Sequence, residues 1–209
     1  MPVARADRLT PLGVMLLALL HEGDMHPYEM IRLLRQRHDD RLVPVTNGTV
    51  YHTVARLQKL GLLAELGVDR DGNRPERTTY SVTEAGREVV PEWVRAELPR
   101  IDRPEQFRVA LSEAHNLPPD EVVDLLLQRR ATLAGQLAML KNGLTKAGAR
   151  EVPEIYLIET RREAALLAAD HDWMAELIDA IDHHRIDWDV HTLDLTSDRY
   201  LAQRKAARQ

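Results

Sequence analysis

The stretch from Thr46 to Lys59 gathers hydrogen-bonding side chains in a pattern suited to recognition rather than to reaction. Thr46, Asn47, Thr49, Tyr51, His52 and Thr53 carry short or rigid groups that donate and accept hydrogen bonds. Arg56 and Lys59 follow as cations, and Gly48 leaves room for something bulky to approach the backbone. Val50, Val54, Leu57 and Leu60 recur at intervals of four, three and three, one apolar stripe, so the polar residues fall on the other side of a single helix. The start of that helix offers unpaired N–H groups, a ready place for phosphate. Asn47, Thr49, Tyr51 and His52 are therefore candidate contacts to nucleic-acid base edges, and Arg56 and Lys59 candidate contacts to phosphate, with Thr46 and Gly48 at the helix start. Capping alone is an open alternative for Thr46 and Asn47, since both residue types favour that place.

A second set surrounds Asp69-Arg70-Asp71-Gly72-Asn73, where Asp-Gly signals a hairpin turn. Arg70, Asn73, Arg74 and Arg77 sit on or beside it, and an arginine at such a tip can enter a narrow minor groove, where the potential is most negative. Asp69, Asp71 and Glu76 interleave with them, so an ordinary solvated hairpin explains the same residues. Tyr80 is expected to pack on the hairpin's buried side, while Tyr28 fits either a phosphate contact or a half-buried place between helices.

Nothing comparable points to catalysis. The absence of cysteine excludes disulfides, thiolate metal sites and a cysteine nucleophile. No glycine-rich phosphate loop or nucleophile elbow is present. His171, His183, His184 and His191 lie among Asp170, Asp172, Asp182, Asp187 and Asp189, but no pair stands convincingly one helical turn apart on one face. A hydrated acidic surface accounts for them, so neither a metal nor a cofactor is expected. These histidines can still make an assembly sensitive to mild acid.

The elements that must position these residues are legible over the first 90 positions. Thr10-Pro11 opens a first helix, apolar nearly all round to Leu20 and so buried. A second runs from Pro27 to about His38, with Met30, Ile31, Leu33 and Leu34 inward and Arg32, Arg35 and Arg37 outward. Asp39 to Val45 reads as a loop, and the third helix, from Thr46, stops at Gly61, a good left-handed cap. Leu62–Val68 and Arg77–Val82 read as two strands of a hairpin, and Thr83 caps a fourth helix to roughly Leu98. Three helices followed by a hairpin is the order of a winged helix-turn-helix, whose third helix can enter the major groove. The same order also serves modules that bind only proteins.

The remainder reads as helical: a short element from Glu105 to Glu113, a long helix from Pro118-Pro119 to about Ala147 ended by Gly148, and another from Pro153 to about His184. Leu126, Leu133, Leu137, Leu140 and Leu144 form a near-heptad stripe on the first long helix. Ile158, Leu166, Ala169, Trp173, Leu177 and Ile181 are expected on one face of the second. A hairpin with arms of roughly 45 Å cannot cover such stripes by itself, so these leucines with Trp173 and Ile181 are the candidate dimerisation residues. The expected fold class is mainly α: a winged helix-turn-helix over 1–90, connecting helices over 91–116, a dimerisation domain of two long antiparallel helices over 117–185, and a tail over 186–209.

Composition agrees. Of 209 residues, 44% are hydrophobic and 4% aromatic, a diet that favours helix over sheet. The net charge of −5 lies wholly in the second part: residues 1–90 hold 12 Lys and Arg against 12 Asp and Glu, residues 91–209 hold 16 against 21. Local field matters more than this total, so nucleic acid is not excluded. The apolar run Leu12–Leu20 is too short to span a membrane and no cleavage site follows it, so a cytoplasmic protein is expected.

Several spaced motifs in the first 90 residues together resemble the PadR family of bacterial transcriptional regulators. They are Leu12-Gly13 to Leu20, Met25-His26-Pro27-Tyr28-Glu29-Met30, Asn47-Gly48-Thr49-Val50-Tyr51 to Arg56-Leu57, Gly61-Leu62, Gly72-Asn73-Arg74-Pro75, and Arg77, Tyr80, Thr83 to Arg87. Pro27 departs from the family's common Gly, and Glu76 falls in a segment that is often more basic. The two long helices are similar to the dimerisation region of larger members by layout. The resemblance implies a homodimer on an inverted-repeat operator, in most members a repressor, released in some by a small, often aromatic effector that changes the angle between the long helices. Trp93 and Trp173 fit a flat-ligand pocket under that reading, though plain core or interface packing accounts better for Trp173. A winged-helix scaffold that binds protein instead of DNA is the alternative.

Overall fold

Thr10 accepts a hydrogen bond from the Gly13 N–H (3.2 Å) and opens α1, Pro11–His21, with proline at the position where an N–H is dispensable. The computed structural model of the chain describes residues 6–69, 77–188 and 197–208. Leu12 to Leu17, Leu19 and Leu20 are all buried, so α1 is the spine of the first domain. Around it stand α2 (Pro27–Gln36), α3 (Asn47–Lys59) and α4 (Glu84–Glu97), with a short 3-10 turn at Asp39–Arg41. Met30, Ile31, Leu33 and Leu34 of α2 face inward as expected. The helix ends earlier than expected, because His38 adopts a left-handed backbone (φ 60°). Arg37 is not an outward residue: both its terminal nitrogens clamp the Glu22 carboxylate (2.5 and 2.7 Å) at the end of α1.

β1 (Leu63–Asp69) and β2 (Arg77–Val82) pair antiparallel, with Leu63 opposite Val82 and Asp69 opposite Arg77. The register slips between Glu65 and Gly67, so Leu66 stands on a bulge and its side chain is exposed. Gly61 takes φ 72° and lets the chain turn out of α3. Thr83 then joins that turn to α4, donating to the Gly61 carbonyl (2.8 Å) and accepting from the Gly86 N–H (3.1 Å). The order matches the winged helix-turn-helix expectation.

Beyond it come α5 (Pro104–Ser112), a 3-10 turn at Ala114–Asn116, and the long pair α6 (Pro119–Ala149) and α7 (Ile158–Asp182), packed antiparallel. Gly148 does not end α6; the helix runs one residue further and Glu151 takes the left-handed turn (φ 52°). A 3-10 turn at Glu154–Tyr156 precedes α7, so Pro153 opens that turn rather than the long helix. Leu126 and Leu133 are buried and Leu137, Leu140 and Leu144 half-buried.

The face of α7 differs from expectation. Ala164, Met174 and Ile181, with half-buried Leu167 and Ile178, meet the protein, whereas Leu166 (53% exposed), Trp173 (44%), Ile158 and Ala169 lie outside and Leu177 is intermediate. At 100° per residue these are two apolar stripes, and the smaller alanine–methionine stripe allows closer approach to α6.

One arginine ties the parts together. Arg129 of α6 stacks 3.4 Å from the centre of the Phe107 ring, donates to the Arg100 carbonyl and pairs with Asp170 of α7 (3.3 Å). Burial lowers its pKa. The segment expected as a tail is partly a helix, α8 (Asp198–Arg208), which packs on α2. Trp93 of α4 is buried.

Candidate nucleic-acid interface

Each end of α3 is set by local chemistry. Thr46 accepts from the Thr49 N–H (3.1 Å) while Thr49 accepts from the Thr46 N–H (3.0 Å) and donates to the Thr46 carbonyl (3.0 Å), a reciprocal box that satisfies the first turn. Both threonine hydroxyls are therefore engaged in starting the helix, which narrows Thr46 to capping and leaves Thr49 mainly its methyl group to present. Asn47 does not cap; it stands at the first helical position, exposed. A threonine three residues after a threonine was the available signal for this box.

Val50, Val54 and Leu57 are almost completely buried against α1 and α2, which fixes the rotation of α3 about its axis. That rotation turns Asn47, Gly48, Thr49, Tyr51, His52, Arg56 and Lys59 outward on one surface. Tyr51 is 53% exposed. A Cβ added to Gly48 would meet nothing within 4 Å, so the fold itself does not require glycine there. Gly86 is the contrast: its added Cβ would lie 2.2 Å from the Leu62 carbonyl oxygen, a purely internal demand.

Arg56 is exposed, but its guanidinium donates to the carbonyl of Arg8, which ties the segment before α1 to the surface of α3. Sequence spacing alone could not show this bond across 48 residues. Lys59 stands exposed near the helix end. Of the hairpin residues, Arg70, Asn73 and Arg74, and the side chain of Arg77, lie outside the described residues. Tyr80 packs against the core as expected, and burial raises the pKa of its phenol. Tyr28 is 40% exposed at the start of α2, with the Arg32 guanidinium 5.6 Å from its ring centre.

The hairpin base is anchored to the α1–α2 turn. Met25 and Tyr80 exchange backbone hydrogen bonds (3.1 and 3.0 Å), and His26 Nδ1 donates to the Thr78 carbonyl (3.1 Å). Among the described residues no group of three or more His, Asp or Glu side chains is placed to hold a metal ion, and no helix is long and apolar enough to cross a membrane.

Residues 16–92, which contain α1 from Leu16 onward, α2, α3, the hairpin and most of α4, match the profile of the transcriptional regulator PadR-like family. Over these residues the chain is similar to the PadR-like family of transcriptional regulators. Its members regulate transcription rather than catalyse reactions. No curated protein matches the chain. Among solved structures, PadR of Bacillus subtilis in complex with operator DNA is 16% identical with a TM-score of 0.40, covering 81% of this chain and 98% of that one. The protein smu.1604c of Streptococcus mutans UA159 is 18% identical (TM-score 0.38; 80% and 98% covered). The PadR-like regulator BC1756 of Bacillus cereus is 13% identical (TM-score 0.36; 83% and 99% covered). In the PadR-like domain of the present chain, the outward surface of α3 and the hairpin beside it form the candidate interface.

Proposed function

We propose that this PadR-like regulator is a homodimeric repressor that reads an inverted-repeat operator. In this reading α3 enters the major groove, with Asn47, Tyr51 and His52 toward base edges and Arg56 and Lys59 toward phosphate, while Arg70, Asn73, Arg74 and Arg77 of the hairpin reach the flanking backbone or minor groove. The two heads of the dimer would stand about 34–36 Å apart, one turn of duplex, or a multiple of it. The supporting observation is the rotation of α3: three buried aliphatic residues turn its polar side, including a glycine with open space at its Cβ and an exposed tyrosine, outward.

Dimerisation rests on the arm. Leu166 and Trp173, left outside by the α6–α7 pairing, together with the exposed Ile158, form an apolar strip that a second copy would bury. The α6 leucines Leu126, Leu133, Leu137, Leu140 and Leu144, with Leu177 and Ile181 of α7, support that strip from within each protomer. A small aromatic effector that favours one splay of the two arms would alter the spacing of the heads and release DNA. Such a regulator acts in the cytoplasm, where bacterial DNA lies.

The test is titration of the purified protein into the duplex upstream of its own gene at two salt concentrations. Binding that falls steeply with salt, and is weakened by Tyr51→Ala and by Arg74→Ala, is expected. Absent or salt-independent binding removes the reading.

A further inference from the structure

Tyr200, Arg204 and Ala207 recur at one helical face of α8, and all three are buried where that helix lies on α2. The Arg204 guanidinium divides its donors among three acceptors. Nε bonds Glu29 of α2 (2.6 Å), Nη2 bonds the Asp24 carbonyl (2.9 Å) and Nη1 bonds the Tyr200 hydroxyl (3.0 Å). The Tyr200 hydroxyl donates to the Glu22 carbonyl (3.4 Å), and Gln203 accepts from Arg37 (3.4 Å), the residue that already clamps Glu22. The C-terminal helix thus grips the turn between α1 and α2 at Glu22 and Asp24.

The next two residues of that turn, Met25 and His26, are the ones that bond β2. One short segment is therefore held on one side by α8 and holds the hairpin base on the other. A buried arginine–glutamate pair adds little net stability over an apolar pair of similar size, because desolvating both charges offsets their attraction; its use lies in fixing position. We propose that Arg204 is a positioning residue for the hairpin: it straps α8 across the α1–α2 turn and so holds β2 where the hairpin meets DNA beside α3. This rests on the DNA-binding reading above.

The full-length protein carries the test, as Arg204→Met, Arg204→Lys and the double variant Glu29→Met/Arg204→Met. Backbone hydrogen exchange is read at Met25 and Tyr80, with Val54 and Leu57 of α3 as internal references. Affinity for the upstream duplex and thermal midpoint are measured in parallel. Arg204→Met is expected to speed exchange at Met25 and Tyr80 at least tenfold while leaving α3 unchanged, and to weaken DNA binding roughly tenfold. Lysine, which keeps the charge but not the fork, should fall between. The double variant removes the buried Glu29 charge together with its arginine, so it should recover the thermal midpoint but neither the exchange protection nor the affinity; recovery of all three would assign Arg204 a merely structural role and overturn the proposal. Should Arg204→Met not fold, the lysine and double variants decide. Wild-type exchange at Met25 and Tyr80 in the variants overturns the strap even if DNA binding is lost. Faster exchange in variants of a protein that binds no duplex at any salt upholds the strap and rejects the DNA-binding reading.

Discussion

Replacing Glu113 by glutamine should flatten the dependence of stability on pH. Glu113 follows α5 and is nearly buried, and its carboxylate accepts from the Asn116 side-chain amide (3.2 Å). Desolvation is the main influence on it and pushes its pKa from 4.5 up to about 7; the carboxylates of Asp39 and Glu22 push the same way, against the Asn116 bond and Arg37. The folded pKa is raised, so the group's contribution is complete below the unfolded value and is lost as pH climbs through about 7. By linkage the penalty is about 1 kcal/mol at pH 5 and about 3 kcal/mol at pH 8, so wild type should lose about 2 kcal/mol between them through this group. Glutamine keeps an oxygen for Asn116 and has nothing to titrate. His21 and His115 are pulled the other way by burial, so their contributions weaken on acidification. His21 is common to both proteins and drops out of the comparison, whereas His115 Nε2 lies 3.9 Å from the Glu113 carboxylate, so part of the difference passes through it. Urea unfolding followed by tryptophan fluorescence at one fixed protomer concentration, at pH 5 and pH 8, gives the difference. Equal pH dependence in wild type and Glu113→Gln, within about 0.5 kcal/mol, would show that Glu113 is ionised in the folded protein without penalty and that the burial argument is wrong.

Trp173→Glu and Leu166→Glu, at positions 44% and 53% exposed in one protomer, should raise the dimer dissociation constant roughly 30-fold or more by sedimentation equilibrium while leaving helix content intact; an unchanged dimer would mean that α7 turns another face to its partner. Thr46→Ala should cost about 1 kcal/mol in thermal unfolding through loss of the capping box, whereas Tyr51→Ala should change stability by less than about 0.5 kcal/mol and act on DNA affinity alone. Gly86→Ala should cost about 2–3 kcal/mol, because its Cβ would sit 2.2 Å from the Leu62 carbonyl oxygen. Gly48→Ala, with open space at its Cβ, should stabilise by up to about 0.5 kcal/mol yet weaken duplex binding; unaltered binding would remove Gly48 from the interface.

What could be read from the chain's own order is what neighbouring residues decide among themselves. The caps that Thr10 and Thr83 place on Gly13 and Gly86, and the turn at Gly61, act within a few positions, so α1, α3 and α4 begin or end where composition places them. The four-three-three spacing of Val50, Val54, Leu57 and Leu60 likewise sets which side of α3 turns outward, and with it most of the candidate interface. Where two local solutions were close in energy, only the assembled protein chose. Gly148 and Glu151 competed to end α6, and two apolar stripes on α7 were equally regular, so packing against α6 selected Ala164 and Met174 and left Leu166 and Trp173 outside. The contacts of Arg56 with Arg8, Arg129 with Phe107, and Arg204 with Glu29 join residues 48, 22 and 175 positions apart. No short-range pattern encodes such pairs, because a guanidinium's partner is determined by which surfaces the folded chain brings within about 3 Å of it.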